Sequence, residues 1–273
     1  MVIKDKQLGW KALGKSVQGA SHVRNNKVCQ DAIRWKKINK SIIFAIADGH
    51  GSSRSPYSDE GSQVAVQVAV ETLEKLYKNL DLKKNLSNIK HFSEEQLKKL
   101  IVRNWRGKVE KAYEVRKLKE GITEDTDNFY VKYGSTLIAI LATPDFILFL
   151  QLGDGDIIVA FQDGEISYAI EKDEELVGIE TTSLCSKDGW KYIKTSVYKL
   201  NSNKNALEMI MLSTDGFYNS FTDDAGYKKN AEDYLKLLKK HGVKKIENNL
   251  EKWLSETSKE GCGDDITLGI ICS

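Results

Sequence analysis

Four strand-length apolar runs follow one another in the middle of the chain: Thr136 to Ala142, Phe146 to Leu152, Ile157 to Phe161 and Ile166 to Ile170. Thr143-Pro144-Asp145 and Gln162-Asp163-Gly164-Glu165, which separate two of the pairs, carry turn chemistry. The series therefore predicts an antiparallel meander of hairpins. Another run, Ser41 to Ala47, lies upstream, and Met209 to Leu212 and Ile266 to Ile271 lie far downstream.

Between these sets the hydrophobic period changes from two to about 3.6. Leu97, Ile101, Trp105, Val109, Ala112 and Val115 predict a helix from Ser93 to about Leu118, with Ser93 and Gln96 as its capping box. Val64, Val68, Leu73 and Leu76 predict a second helix over about Asp59 to Leu80, and shorter ones fall near Ala231–Lys240 and Val243–Ser255. No regular βαβ alternation appears, so the expected class is α+β, with helices covering an antiparallel core.

The 273 residues carry 41 Lys+Arg against 39 Asp+Glu, a formal charge of +2, so no charge excess calls for nucleic acid or a membrane surface. No segment approaches the length of a membrane span, and the lysines at 4, 6, 11 and 15 interrupt any signal-peptide core. Cys29, Cys185, Cys262 and Cys272 form no C-x-x-C pair, which favours reduced thiols acting as small buried hydrophobes in a cytoplasmic protein. With only Pro56 and Pro144 and no flexible linker, the expectation is one domain over 1–273. Lysine pairs such as Lys98-Lys99 read as solvated helix faces.

Acidic residues recur where apolar strands end: Gln30-Asp31, Asp48-Gly49-His50-Gly51, Gly153-Asp154-Gly155-Asp156, Thr214-Asp215-Gly216 and Gly263-Asp264-Asp265. One Asp-Gly is usually a turn, but five converging carboxylates would repel one another unless a cation neutralised them. The candidate ligands are all oxygen, which points to Mg²⁺ or Mn²⁺ and not zinc. Two such ions sharing carboxylates would activate a water for in-line attack on a phosphate ester.

The ordered set S-H-x7-Q-D (Ser21 to Asp31), D-G-H-G (Asp48 to Gly51), Y-G-S-T-L (Tyr133 to Leu137), Q-L-G-D-G-D (Gln151 to Asp156), L-S-T-D-G-F (Leu212 to Phe217) and G-D-D-I-T-L (Gly263 to Leu268) resembles the PPM-type family, the metal-dependent protein phosphatases 2C. Its motifs span about 10–272. The resemblance implies a four-layer α-β-β-α sandwich and a Ser/Thr phosphoprotein phosphatase using two Mn²⁺ or Mg²⁺ ions, with a phosphorylated protein as substrate and a cognate kinase as counterpart. It implies that Asp48 bridges the metals, that the Gly49 carbonyl, Asp215 and Asp264 complete the shells, and that Asp31 acts through water. His50 matches a histidine that protonates the leaving alkoxide.

Departures from the family pattern are Gln30, where Glu is common, and the missing phosphate-gripping arginine, near whose place stand His22 and Arg24. Asp154 matches a ligand of a third metal, but Asn219 stands where its partner Asp would be. His91 and His241 read as surface residues, Trp105 and Trp253 as core, and Asp265 as a turn residue beside the ligand Asp264. Substrate specificity is expected in the segment 173–205. Two rivals stay open at this point: a catalytically impaired relative that binds a phosphoprotein or partner as a regulator, and a binuclear hydrolase of small phosphate esters.

Overall fold

The computed structural model describes residues 9–79, 86–122, 128–171, 182–200 and 206–273. Two five-stranded sheets form the centre, and every strand pair is antiparallel. One sheet holds β1 (Lys11–Val17), β10 (Ile266–Cys272), β9 (Leu207–Ser213), β6 (Asp156–Phe161) and β7 (Ile166–Tyr168), in that order. The other holds β2 (Ala32–Ile38), β3 (Ser41–Ala47), β4 (Leu137–Ala142), β5 (Phe146–Leu152) and β8 (Lys194–Lys199).

The central strands are apolar at nearly every position because both of their faces are covered. On β3, Ile42, Phe44 and Ile46 pack between the sheets with Ile140, Phe149, Ile210 and Leu212. The alternate residues Ile43, Ala45 and Ala47 pack beneath α2 (Ser58–Asn79) and α4 (Lys98–Glu120) with Val66, Leu73 and Trp105. The other sheet is covered by α6 (Asp224–His241) and α7 (Val243–Glu260), through Tyr227, Leu235, Ile246 and Leu250. The layers are thus α-β-β-α, as expected.

Several local expectations are corrected. The meander is split: β4–β5 and β6–β7 are hairpins, but the chain crosses from one sheet to the other between β5 and β6. Ser93 caps nothing, because helix α3 (Leu86–Phe92) runs through a π turn at Ser93–Leu97 into α4, and Ser93 Oγ instead donates to the Lys90 carbonyl at 2.7 Å. Of the 173–205 segment, residues 173–181 and 201–205 lie outside the described residues, while β8 inside it is an edge strand. All four cysteines are free, but Cys262 is exposed and so is no buried hydrophobe. His91 and His241 are exposed, and Trp105 is fully buried with its Nε1 donating to the Gly61 carbonyl at 3.0 Å.

Candidate metal and catalytic site

The carboxylates meet at one edge of the sandwich, where β3, β5 and β9 end. The loop after β3 is pinned on three sides. Thr136 Oγ1 accepts the Asp48 N–H at 2.9 Å, the Gln30 carbonyl accepts that of Gly49 at 3.1 Å, and the Gly134 carbonyl accepts that of His50 at 3.1 Å. Only glycine fits at two of these places. A Cβ on Gly49 would stand 2.5 Å from the Ser58 carbonyl oxygen, and one on Gly134 would stand 2.4 Å from His50 Cδ2. Asp48 and His50 are therefore presented by a rigid sheet end against tightly packed backbone.

Asp215 opens the short helix α5 (Asp215–Tyr218) after β9, and Asp154 lies in the turn between β5 and β6. Ligand oxygens of Asp48, Asp154 and Asp215 all fall within 4.8 Å of one another. They line a cavity of about 230 Å³ together with His22, Gln30, His50 and Asp264. Asp31 stays out of the wall. It is buried, its Oδ2 accepts the Thr214 hydroxyl at 2.8 Å, and its Oδ1 has no hydrogen-bond partner among the described residues. Arg24 is exposed on α1 (Ala20–Arg24) and is absent from the lining.

These acids raise one another. Burial first, then its acidic neighbours, pushes Asp31 up to about 8, while the nearby Thr267 hydroxyl and the Thr214 hydrogen bond work the other way. Burial and Asp154 push Asp215 up to about 6. Asp48 is raised well above the usual carboxylate range by burial and by Asp31 and Asp215. Burial holds His50 below the ordinary histidine value, with Asp154 opposing it. Bare carboxyl groups so disposed are unfavourable when ionised, and a divalent cation removes the conflict. A hard, all-oxygen donor set and an orphaned buried carboxyl oxygen fit such an ion.

The structure brings His22, Asp48, Gly49, His50, Asp154, Asp215 and Asp264 to one cavity, sets Asp31 outside its wall, and leaves Arg24 away from it. It also draws Asp154 closer to Asp48 and Asp215 than the sequence implied, and it gives Asp265 more than a turn. Asp265 is buried, accepts the N–H groups of Gly19 at 2.6 Å and Gln30 at 2.7 Å, and stands 2.9 Å from His22 Nδ1. His22 Nε2 is 3.4 Å from Asp264. Thr214, Thr267 and Gly134 stand within the same motifs, and sequence reasoning alone does not single them out. Their signal was their adjacency to the acids and to the Y-G-S-T-L strand.

The profile of the protein phosphatase 2C family matches residues 18–255. The chain belongs to the protein phosphatase 2C family. Its class is therefore that of the protein-serine/threonine phosphatases. Among curated proteins none matches the sequence. Solved structures of similar fold include the serine/threonine phosphatase Stp1 from Staphylococcus aureus (14% identity, TM-score 0.59, covering 100% of this chain and 99% of that one). The S. agalactiae serine/threonine phosphatase is 18% identical with a TM-score of 0.58, covering 96% and 99%. The catalytic domain of the phosphatase PstP, solved with two manganese ions, is 16% identical with a TM-score of 0.57, covering 96% and 97%. At these identities the likeness concerns the fold.

Proposed function

We propose that this protein phosphatase 2C member hydrolyses phosphomonoesters on serine and threonine of phosphoproteins, using two Mn²⁺ or Mg²⁺ ions. The observation that carries this is the convergence of Asp48, Asp154 and Asp215 in a cavity whose wall holds no Lys or Arg among the described residues. Asp48, the Gly49 carbonyl, Asp215 and Asp264 would hold the ions, with Asp31 behind them, and the crowding of Asp154 onto Asp48 and Asp215 supports its joining them. The metals supply Lewis acidity and a nucleophilic water at neutral pH. The chain's own part is orientation and proton handling. Asp48 is fixed by Thr136, His50 stands at the cavity wall to give a proton to the leaving serine or threonine oxygen, and His22, its Nδ1 against Asp265, would meet the phosphate through Nε2 from beside Asp264.

We read the whole of 1–273 as one domain, supported by the 96–100% of the chain covered in the fold comparisons. No helix among the described residues is long and apolar enough to cross a membrane. A cytoplasmic site of action and a cognate kinase complete the reading. The missing arginine favours one second reading, an impaired relative that binds phosphoproteins without turnover. Turnover of pSer, pThr and pTyr peptides and of p-nitrophenyl phosphate, titrated with Mn²⁺, separates the two. Activity on pSer and pThr that disappears in Asp48→Asn supports the enzyme, and no activity with any divalent ion supports the binder.

A further inference from the structure

A second concavity lies on the outer face of α4, away from the carboxylates. It is a groove of about 510 Å³ between α4 and the segment that carries Lys187 and Trp190. Lys99, Arg103, Arg106 and Glu110 recur along one stripe of the helix at intervals of three or four. Lys99 was expected only to decorate a solvated face. Instead its ammonium stands 4.6 Å over the Trp190 ring.

The groove wall is built. Arg106 Nη2 donates to the carbonyls of Cys185 at 3.2 Å and Ser186 at 2.6 Å, and its guanidinium lies 4.7 Å from the Tyr130 ring. Beyond Arg106, the Leu184 N–H donates to the Ser135 carbonyl at 3.0 Å, next to the Gly134 that packs on His50. The floor is left open by Gly107, where a Cβ would meet nothing within 4 Å. A glycine inside a helix costs roughly 0.5–1 kcal/mol relative to alanine, and here neither packing nor backbone conformation requires one. What its missing side chain does is keep the groove empty.

Charge supplies the occupant. Lys99, Arg103 and Lys187 have no ion-pair partner among the described residues, while Asp188, next to Lys187 but outside the groove lining, is taken by Lys191 at 3.0 Å. The chain as a whole is nearly neutral, so this is a local excess. From Lys99 to Glu110 the helix rises about 16 Å, the reach of about five extended residues. Glu110 closes one end and would repel a polyanion running on past it, which favours a short acidic peptide over nucleic acid. We propose that this groove docks an acidic segment of the protein substrate, separately from the catalytic cavity. The identity of the partner as substrate rests on the phosphatase reading above.

The test uses the full-length protein with Mn²⁺ and a fluorescent Glu/Asp-rich peptide without phosphate, followed by anisotropy. The charge reversal Arg103→Glu with Lys187→Glu should weaken binding by about tenfold or more and make a Lys-rich peptide bind in its place, which a merely unfolded variant would not do. Gly107→Leu should block the peptide while leaving the charges intact. A phosphopeptide extended by the acidic segment should have a lower KM than the unextended one, and the reversal should erase that difference while p-nitrophenyl phosphate turnover is kept. Acidic-peptide binding that is indifferent to the reversal overturns the proposal, and so does single-stranded DNA of matched charge binding as tightly. If no phosphorylated compound is turned over, the phosphatase reading falls and the anisotropy result alone decides the groove.

Discussion

Asp265 Oδ1 accepts the backbone N–H of Gly19 at 2.6 Å and so joins positions 246 residues apart. Its other oxygen takes the Gln30 N–H, and His22 Nδ1 stands 2.9 Å from Oδ1. Gly19 just beyond β1, His22 and the residue before Asp31 are thus gathered by one carboxyl group beside Asp264. Asp265→Ala leaves two buried N–H groups without acceptors, each costing about 1–3 kcal/mol. A loss of roughly 2–5 kcal/mol is expected in the denaturation midpoint. Asp265→Asn keeps one acceptor and should lose clearly less. Equal losses in the two variants would show that the carboxyl group does not act as the tie.

Removing metal should expose the carboxylate conflict as a pH dependence of stability. Asp31 and Asp215 are pushed up to about 8 and about 6 in the folded protein, while unfolded aspartates titrate near ~3.9. An acid whose pKa is raised on folding binds protons more tightly in the native state, so stability falls as pH rises through this window and levels off above it. In EDTA the thermal midpoint should therefore drop steadily from about pH 4 toward pH 8. Mn²⁺ should raise it more at pH 8 than at pH 5, because the ion competes with those protons. A midpoint independent of pH in EDTA, with Mn²⁺ giving the same increment throughout, would contradict the geometry of the cluster.

β3, β4 and β5 were legible in the sequence because covering both faces turns a strand into an unbroken apolar run, whereas the half-buried edge strand β7 was legible through its turn. β1, β2 and β8 went unread, and all three are sheet edges. Their lysines, among them Lys11, Lys36, Lys37 and Lys194, keep an edge soluble and discourage pairing with other chains, and they also hide the strand signal. The site was legible through its acids because several uncompensated carboxylates are chemically unusual. Asp265 was not, since a buried tie to Gly19 and Gln30 depends on which ends of the fold meet. Ser93 misled because its capping pattern competes with continuation of α3, and the buried Ile89 and Leu97 favour the longer helix.

Asn219 Nδ2 donates to Asp215 Oδ2 at 3.1 Å, so it holds a member of the cluster as well as standing where a further ligand could be. Asn219→Asp removes that donor and adds a negative charge beside Asp215. In EDTA the variant should be slightly less stable, by about 0.5 kcal/mol for so exposed a pair. With Mn²⁺ it should bind an additional ion or bind the weakest one more tightly. Titration calorimetry reads both changes. An unaltered stoichiometry and affinity would remove Asn219 from any account of metal binding.

The last prediction separates proton transfer from metal binding at His50. Its backbone N–H is held by Gly134 whatever the side chain, so His50→Gln should keep the loop and the metals in place. If the imidazole protonates the leaving group, kcat on a phosphoserine peptide should fall by about 10²–10⁴. The nitrophenolate anion leaves nearly unaided, so p-nitrophenyl phosphate should be slowed only mildly. If His50 instead only packs on Gly134 or helps to hold an ion, both substrates should lose alike and the Mn²⁺ concentration for half-activity should rise with them. Both rates and the metal dependence are measured in the one variant, and equal losses on the two substrates would end the general-acid assignment.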